Sequence, residues 1–428
     1  MTSGSWTLVF AAALVASLAL RAWLASRQVR HVARHRESVP EPFRATVDIA
    51  AHRKAAAYTL AKIRLGQWQM ALGALTLLGW TLFGGLDALD ALLRDAAQPR
   101  WGGLAYEVTL VAAVVAIEAF IHLPLDLYAT FGVEAKFGFN RMTWKLWIAD
   151  ALKGLVLSVV IGLPLVALVL WIMAASGPLW WLWAWAAWTV FNLVALVVVP
   201  TLIAPLFNRF VPLADASLEA RVRALMARAG FTAGGLFVMD GSRRSAHGNA
   251  YFTGFGAARR VVFFDTLLAR LAPDEVEAVL AHELGHFKLG HIARRIGAML
   301  VTALALFAAF GYLASQSWFY TGLGVRPALG GPNDAIALIL LMFVAPVFGS
   351  FLAPLFAGLS RRHEYEADAW AARHADGRAL ASALLKLHED NASTLTPDPV
   401  YARFYYSHPP AVERLAALAP LNAQTGVA

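Results

Sequence analysis

Two histidines four residues apart, with a glutamate beside the first, are the chemically most specific stretch of the chain: His282, Glu283 and His286. Residues four apart share one face of a helix, so both imidazoles can bind one metal ion while Glu283 lies next to it. Pro273 at a first helical position, followed by acidic residues, favours such a helix. The pattern is typical of a zinc hydrolase, whereas the plainer interpretation is two surface histidines on an amphipathic helix.

A catalytic zinc ion needs a third protein ligand and an open position for water. His291 is rejected, because the glycine and histidine that a metzincin pattern requires at positions 289 and 292 are absent. The segment 360–368 offers Glu364 as a ligand and Asp368 as a carboxylate that orients a ligating histidine, at the start of another helix. Glu366 is expected on roughly the opposite side of that helix. The alternative for this segment is a solvated, charged helix start after a membrane span.

The composition places the chain in a membrane. Hydrophobic residues make up 59% and charged residues 15%, and the mean hydropathy is +0.57, which is too apolar for a soluble chain of this length. The absence of cysteine excludes disulfides, thiol catalysis and cysteine zinc sites, so any metal site must use histidines and carboxylates. The net charge of +8 does not indicate a nucleic-acid partner, since arginines beside membrane spans account for much of it.

Seven apolar segments are long enough to cross a bilayer. They lie near 6–25, 67–89, 104–126, 154–175, 179–203, 294–315 and 335–358. The intervening loops at 26–66 and 207–293 and the tail after 359 are basic, which by the positive-inside rule puts the N-terminus outside. Both halves of the predicted zinc site then lie on the cytoplasmic side.

Three ionisable residues recur every four positions inside the third predicted span: Glu118, His122 and Asp126. Such groups are costly at membrane depth and normally face protein or a wet cavity. They predict either a water-filled interior or a mutually satisfied polar network. They also suit a transporter, but no pair of spans shows repeat symmetry or matched helix breaks.

The region between the fifth and sixth spans reads as a small α+β unit, with a helix at 218–229 and strands at 236–239, 249–255 and 260–264. The last two strands are joined through Gly256. A strand beginning Asn249, Ala250, Tyr251 is either an edge strand that pairs with an extended peptide or a plain core hairpin strand.

Several motifs in the same order resemble the integral-membrane CAAX prenyl protease family, the type I CAAX endopeptidases. They lie at 124–128, 137–140, 205–208, 240–245, 249–252, 282–286, 360–368 and 406–410. The resemblance implies a membrane all-α bundle of seven transmembrane helices enclosing a chamber, with a small α+β gluzincin-like zinc protease domain. Residues 1–206 would hold five transmembrane helices. Residues 207–428 would form the metallopeptidase domain, including helices six (about 294–315) and seven (about 335–358).

The resemblance also implies a role for each matching residue, with one Zn²⁺ per chain. The zinc ligands are His282, His286 and Glu364; the general base is Glu283; the oxyanion is stabilised by His408; substrate backbone is held by the strand at Asn249, Ala250 and Tyr251; and Arg414 is a structural or substrate-binding partner.

The substrate is a peptide or protein at the lipid bilayer, and the family's name implies a prenylated one that loses its C-terminal residues. The Ala- and Arg-rich, Cys-free composition suggests a bacterial inner-membrane protein. In that case a quality-control protease acting on non-prenylated or misfolded proteins is the alternative. A non-catalytic metal-binding scaffold or transporter is a third hypothesis, against which the intact Glu283 argues.

Overall fold

The membrane part of the chain is built of long apolar helices. The computed structural model describes residues 1–231, 234–253, 260–328 and 333–425. The first half contains α1 (Ser3–His35), α2 (Ile49–Trp80), α3 (Gly85–Trp101), α4 (Gly103–Leu127), α5 (Trp144–Leu157), α6 (Leu163–Ala175), α7 (Trp180–Val198) and α8 (Ala204–Phe207). Short π-helical segments at Tyr128–Glu134, Ser158–Gly162 and Val199–Ile203 follow α4, join α5 to α6 and join α7 to α8.

Six helical runs among the described residues are long and apolar enough to cross a bilayer, and a bent helix pair brings the number to seven. The six runs are Ser3–His35, Gly103–Glu134, Trp144–Ala175, Gly177–Phe207, His291–Ala314 and Asp334–His374. Each contains, to within a residue, one of the predicted spans. The chain is therefore a multi-pass helical membrane bundle, as its composition predicted.

The predicted second span, 67–89, is wrong as one continuous helix. It crosses the junction of α2 and α3, whose axes are bent by 54°. Gly84 adopts a left-handed conformation with φ +78°, which glycine tolerates because it has no Cβ. A Cβ on Gly85 would lie 2.6 Å from the carbonyl oxygen of Gly79, so the chain turns too tightly there for a side chain.

A large hydrophobic core joins the membrane helices at the end that carries the N-terminus of α1. Its fully buried aromatic members include Phe10, Tyr106, Phe310 and Phe319. By contrast, α5 has no buried residue. The core therefore fixes the helices relative to one another at the end where α1 begins and α2 ends.

Two of the three ionisable residues predicted inside the third span, Glu118 and His122, form a polar network, and Asp126 does not join it. Glu118 accepts a hydrogen bond of 2.5 Å from the Trp80 indole, and His122 Nε2 lies 3.3 Å from its other oxygen. A satisfied polar network therefore holds these two groups. Asp126 is exposed, and within the described ranges its carboxylate has no hydrogen bond or ion pair. The water-filled interior stays a prediction for Asp126.

The second half of the chain adds a four-stranded sheet and ten helices to the part described. The strands are β1 (Phe210–Pro212), β2 (Gly235–Met239), β3 (Ala250–Thr253) and β4 (Arg260–Phe264). The helices are α9 (Ala216–Arg228), α10 (Asp265–Leu268), α11 (Pro273–Lys288), α12 (His291–Ala314), α13 (Ser317–Thr321), α14 (Asp334–Gly349), α15 (Ala353–His374), α16 (Gly377–Asp390), α17 (Pro399–Tyr405) and α18 (Ala411–Thr425).

The sheet has the order β1-β2-β4-β3, in which β2 and β4 are parallel and the outer pairs are antiparallel. The predicted helix at 218–229 and the strands at 236–239 and 260–264 are confirmed within two residues. The three-residue β1 was not predicted, because it is too short to show an alternating pattern. For the strand predicted at 249–255, residues 254 and 255 lie outside the described residues, as does the connection through Gly256.

Candidate active site

The helix α11 carries His282 and His286 and begins where the sequence predicted. Pro273 occupies its first position, and the Glu275 carboxylate accepts a hydrogen bond of 2.7 Å from the Ala272 amide just before it. His282 falls in the third turn, and His286 lies one turn further along the same face. The two ring centroids are 4.8 Å apart.

Small residues allow α15 to pass very close to α11. A Cβ on Gly285 would lie 3.1 Å from both Cα and the carbonyl oxygen of Ala367, which is fully buried. This close contact brings Glu364 and Asp368 of α15 to the histidines of α11. The prediction that these acids begin a helix is wrong, because α15 begins at Ala353, in one helical run with the seventh span. The apolar residues of the seventh span and the charged residues after it share one helical periodicity, so the sequence marks no helix start between them.

One ligand atom from each of three side chains converges on a single point. His282 Nε2 lies 3.4 Å from Glu364 Oε2, His286 Nε2 lies 3.3 Å from Glu364 Oε1, and the two Nε2 atoms are 3.2 Å apart. Glu364 Oε2 is buried and accepts no hydrogen bond from the described residues. A cation placed between these lone pairs would be bound by all three side chains at once. Two histidines and a carboxylate are a donor set that suits a divalent metal such as zinc.

The remaining nitrogen of His282 is fixed from behind. His282 Nδ1 lies 2.8 Å from Asp368 Oδ1, so it donates to that carboxylate and leaves Nε2 as the lone-pair donor. Arg414 of α18 donates from Nε to the other Asp368 oxygen at 2.8 Å, and one of its terminal nitrogens lies 3.6 Å from Glu364. All three charged side chains are at most 7% exposed.

The electrostatic field of the site favours a positive charge at His282 and a proton on Glu283. Burial opposes charge on His282, but the neighbouring Asp368 and Glu364 carboxylates raise its pKa to about 9. Burial raises the pKa of Glu283, and the neighbouring histidines only partly offset this. No hydrogen bond or ion pair from the described residues occupies the Glu283 carboxylate, so it is free to act as a base.

A cavity of about 650 Å³ lies in front of the site, between α2 and the second half of the chain. Its wall includes most of the site residues predicted from the sequence: Asn249, Ala250, His282, Glu283, His408 and Arg414. Tyr251 is not part of this wall. Residues that the sequence did not single out also line it: Tyr58, Lys62, Tyr406 and His388. Burial, reinforced by the charge of Arg414, lowers the pKa of His388 to about 4, so it lines the cavity as a neutral imidazole.

The strand β3 lies at the edge of the described sheet, beside the cavity. The Phe264 amide donates to the Asn249 carbonyl, and antiparallel pairing alternates from there. The backbone of Tyr251 therefore faces β4, while the carbonyls of Ala250 and Phe252 face the free edge. The Asn249 side chain accepts a hydrogen bond of 2.8 Å from the Ala250 amide. Of the three predicted strand residues, Asn249 and Ala250 are presented to the cavity, and Tyr251 packs edge-on against Phe264 instead.

His408 reaches the site from the loop between α17 and α18. Its Nε2 lies 3.4 Å from Glu364 Oε1, and its other nitrogen is 3.1 Å from the Ser407 hydroxyl. The loop is held to α15 by Arg361, which donates to the Tyr406 carbonyl at 2.7 Å. A histidine before two prolines carries little signal of its own, so only the family resemblance pointed to it.

Comparison with known proteins agrees with this architecture across the whole chain. Residues 28–209 match the family model for the CAAX prenyl protease N-terminal region with five membrane helices, and residues 212–421 match the model for peptidase family M48. CAAX prenyl protease 1 of Saccharomyces cerevisiae is 31% identical, and the match covers 96% of this chain and 95% of that protein. The homologue from Homo sapiens is 32% identical with the same coverage.

A solved structure matches equally well. The crystal structure of Ste24p from S. mikatae superposes with a TM-score of 0.90 at 30% identity, covering 96% of this chain and 99% of that one. Together with the converging histidines and glutamate, these matches give the protein its class. The chain belongs to peptidase family M48, as a multi-pass membrane metalloprotease of the CAAX prenyl protease type.

Proposed function

We propose that the protein is a zinc metalloendopeptidase in which His282, His286 and Glu364 hold one Zn²⁺ per chain. The observation that carries this proposal is the convergence of three lone-pair donors, with Asp368 fixing the tautomer of the first histidine. With a metal bound, His282 and His286 are neutral lone-pair donors, and the ionised carboxylates of Glu283, Glu364 and Asp368 exceed Arg414 by two negative charges. A divalent cation balances that excess.

The chemistry then divides among the residues around the cavity. Zinc held by these residues would supply Lewis acidity, polarising the scissile carbonyl and lowering the pKa of water so that it can be deprotonated near neutral pH. Glu283 takes the proton from the attacking water and returns it to the leaving amine. The raised pKa of its carboxyl suits both steps, because it accepts a proton readily yet can release it. His408 stabilises the negative charge that develops on the carbonyl oxygen.

The substrate lies extended along β3. Peptide groups pair with the free carbonyls of Ala250 and Phe252, so recognition at this edge is independent of sequence. Asn249 holds the Ala250 amide and thereby fixes the shape of the edge. Arg414 is almost fully buried and bonded to Asp368, so its role is to position the metal site rather than to contact substrate.

The substrate class follows from the relatives. The yeast and human proteins are named as CAAX prenyl proteases, and we extend to this chain the removal of C-terminal residues from a prenylated peptide. The second candidate is a protease that cuts non-prenylated or misfolded membrane proteins with the same residues. The edge-strand geometry favours this second candidate, because the free edge of β3 bonds only the backbone of a substrate.

We also propose that residues 1–206 and 207–428 are the two functional parts, and that the zinc site lies on the cytoplasmic side with the N-terminus outside. The basic loops support this orientation. The bacterial origin suggested by the composition finds no support in the relatives named above, which are eukaryotic.

The test is cleavage of one peptide in two forms, prenylated and bare, by the purified protein in detergent, with and without a chelator. Chelator-sensitive cleavage confined to the prenylated peptide supports the CAAX assignment. Equal cleavage of both forms supports the second candidate. No cleavage of either peptide by folded, zinc-loaded protein would contradict the protease proposal and favour a metal-binding scaffold.

A further inference from the structure

The outer nitrogen of His286 meets a second histidine, which the proposed catalytic mechanism does not use. Gly290 has a φ of +69° and reverses the chain after α11, so His291 begins α12 directly beside His286. The two Nδ1 atoms are 3.0 Å apart, and His291 is 1% exposed. On its far side, His291 Nε2 lies 3.0 Å from Glu366 Oε2. Glu366 lies two residues after Glu364 on α15, and His291 at the start of α12 contacts it there.

Only one assignment of protons satisfies every contact in the row of side chains from His286 through His291 to Glu366. If His286 presents the lone pair of Nε2 to a metal, its Nδ1 carries the proton and donates to His291 Nδ1. Neutral His291 then carries its own proton on Nε2 and donates it to Glu366. The carboxylate therefore sets the tautomer of both rings.

The side chains of His291 and Glu366 are also held in place by their neighbours. The ring of His363 stacks on that of His291 with centroids 4.1 Å apart and planes 10° from parallel. Arg362 donates to the other oxygen of Glu366 at 3.0 Å. These contacts limit rotation of His291 and of the Glu366 carboxylate, so His286 has a fixed acceptor behind it.

A second cation between His291, His363 and Glu366 is the competing interpretation, since their ligand atoms lie within 4.8 Å of one another. Such a cation would take the lone pair of His291 Nε2 and drive the proton to Nδ1. Two N–H groups, of His286 and His291, would then oppose each other at 3.0 Å. Occupation of the first site therefore disfavours occupation of the second.

We propose that His291 and Glu366 are positioning residues for His286. Glu366 acts on His286 through His291, by two successive hydrogen bonds, whereas Asp368 contacts His282 directly. This inference rests on the proposed zinc site. Loss of such an outer partner typically weakens metal binding about 10- to 100-fold. The effect requires a hydrogen-bond acceptor at position 291 and a carboxylate or amide oxygen at position 366.

The experiment measures zinc release from the purified full-length chain to a chelator, and the visible absorption of the cobalt-substituted protein. His291→Phe should release zinc about 10-fold faster or more and shift the cobalt bands. His291→Gln, whose amide oxygen can accept from His286, should recover much of the wild-type rate. Glu366→Gln should show a smaller effect than His291→Phe. His374→Phe is the matched control on α15, exposed and away from the site, and should behave as wild type.

Wild-type release rates and cobalt spectra in both His291 variants would overturn the inference while leaving the zinc site intact. A second equivalent of zinc in the wild type, lost in His291→Phe and in Glu366→Gln, would replace the inference by a second metal site. A wild type that binds no zinc would contradict the proposed function itself.

Discussion

The buried charge balance around Asp368 and Arg414 gives the strongest prediction about the metal centre. Asp368→Asn removes one negative charge with almost no change of shape. Among the described residues it leaves Arg414, whose side chain is 7% exposed, with Glu364 at 3.6 Å as the carboxylate within ion-pair distance. Arg414→Met removes the positive charge instead, and a double variant removes both.

The expected magnitudes follow from this balance. With zinc bound, three carboxylates and one guanidinium leave the wild-type site neutral. Asp368→Asn makes it positive by one, so we expect zinc affinity to fall about 10- to 100-fold, or about 1.4 to 2.7 kcal/mol. Breaking a buried ion pair from one side also costs about 3 to 5 kcal/mol of folding stability. Adding Arg414→Met restores neutrality, so the double variant should bind zinc more tightly than Asp368→Asn alone.

The assay is chelator competition for zinc, together with thermal unfolding, on five purified proteins in detergent: the wild type, the two single variants, the double variant and a control. Glu413→Gln is a matched control, since Glu413 adjoins Arg414 but is exposed and bonds only the Tyr365 hydroxyl among the described residues. The reasoning is refuted if the double variant binds zinc more weakly than Asp368→Asn. It is equally refuted if Asp368→Asn binds zinc as the wild type and the control do.

Three further predictions concern acid stability, the substrate edge and the start of α11. Neutral His388 has its pKa lowered from 6.5 to about 4, so the folded protein should lose up to about 3 kcal/mol as the pH falls through that range. His388→Gln should lose less stability than the wild type in melting curves at pH 7.5 and 5; equal losses would contradict this. Asn249→Ala should lower kcat/KM about 10-fold or more at unchanged zinc content, because the Ala250 amide loses its acceptor; unchanged kinetics would remove Asn249 from the site. Glu275→Ala should lower stability by about 1 to 2 kcal/mol, because it leaves the Ala272 amide before α11 and the Ser382 hydroxyl without their acceptor; an unchanged melting temperature would contradict it.

Helix α11 and the placement of its two histidines on one face were predictable because their information is local. Pro273 and the acidic residues after it mark the start of α11, and four-residue spacing puts His282 and His286 on one face. The length of continuous apolar segments located the spans for the same reason. Apolar length could not show the break at Gly84, because the residue type alone does not tell whether a glycine is helical or left-handed.

The contacts between distant segments were not readable from the residues alone. Arg414 reaches Asp368 across 46 positions, and its role depends on how α18 packs beside α15. The close approach at Gly285 and the pairing of His291 with Glu366 likewise appear only once two helices are placed together. No periodicity or spacing in the sequence encodes contacts between distant helices. Only the family resemblance pointed to His408.

Glu283→Gln is the variant that tests the central claim most directly, because it keeps the shape of the proposed base and removes its proton affinity. Zinc content and cleavage of a peptide substrate should be measured on the same purified samples as the wild type. We predict one zinc per chain in both proteins, the same melting temperature, and turnover lowered by about 100-fold or more in the variant. Wild-type turnover in a zinc-loaded Glu283→Gln protein would contradict the account.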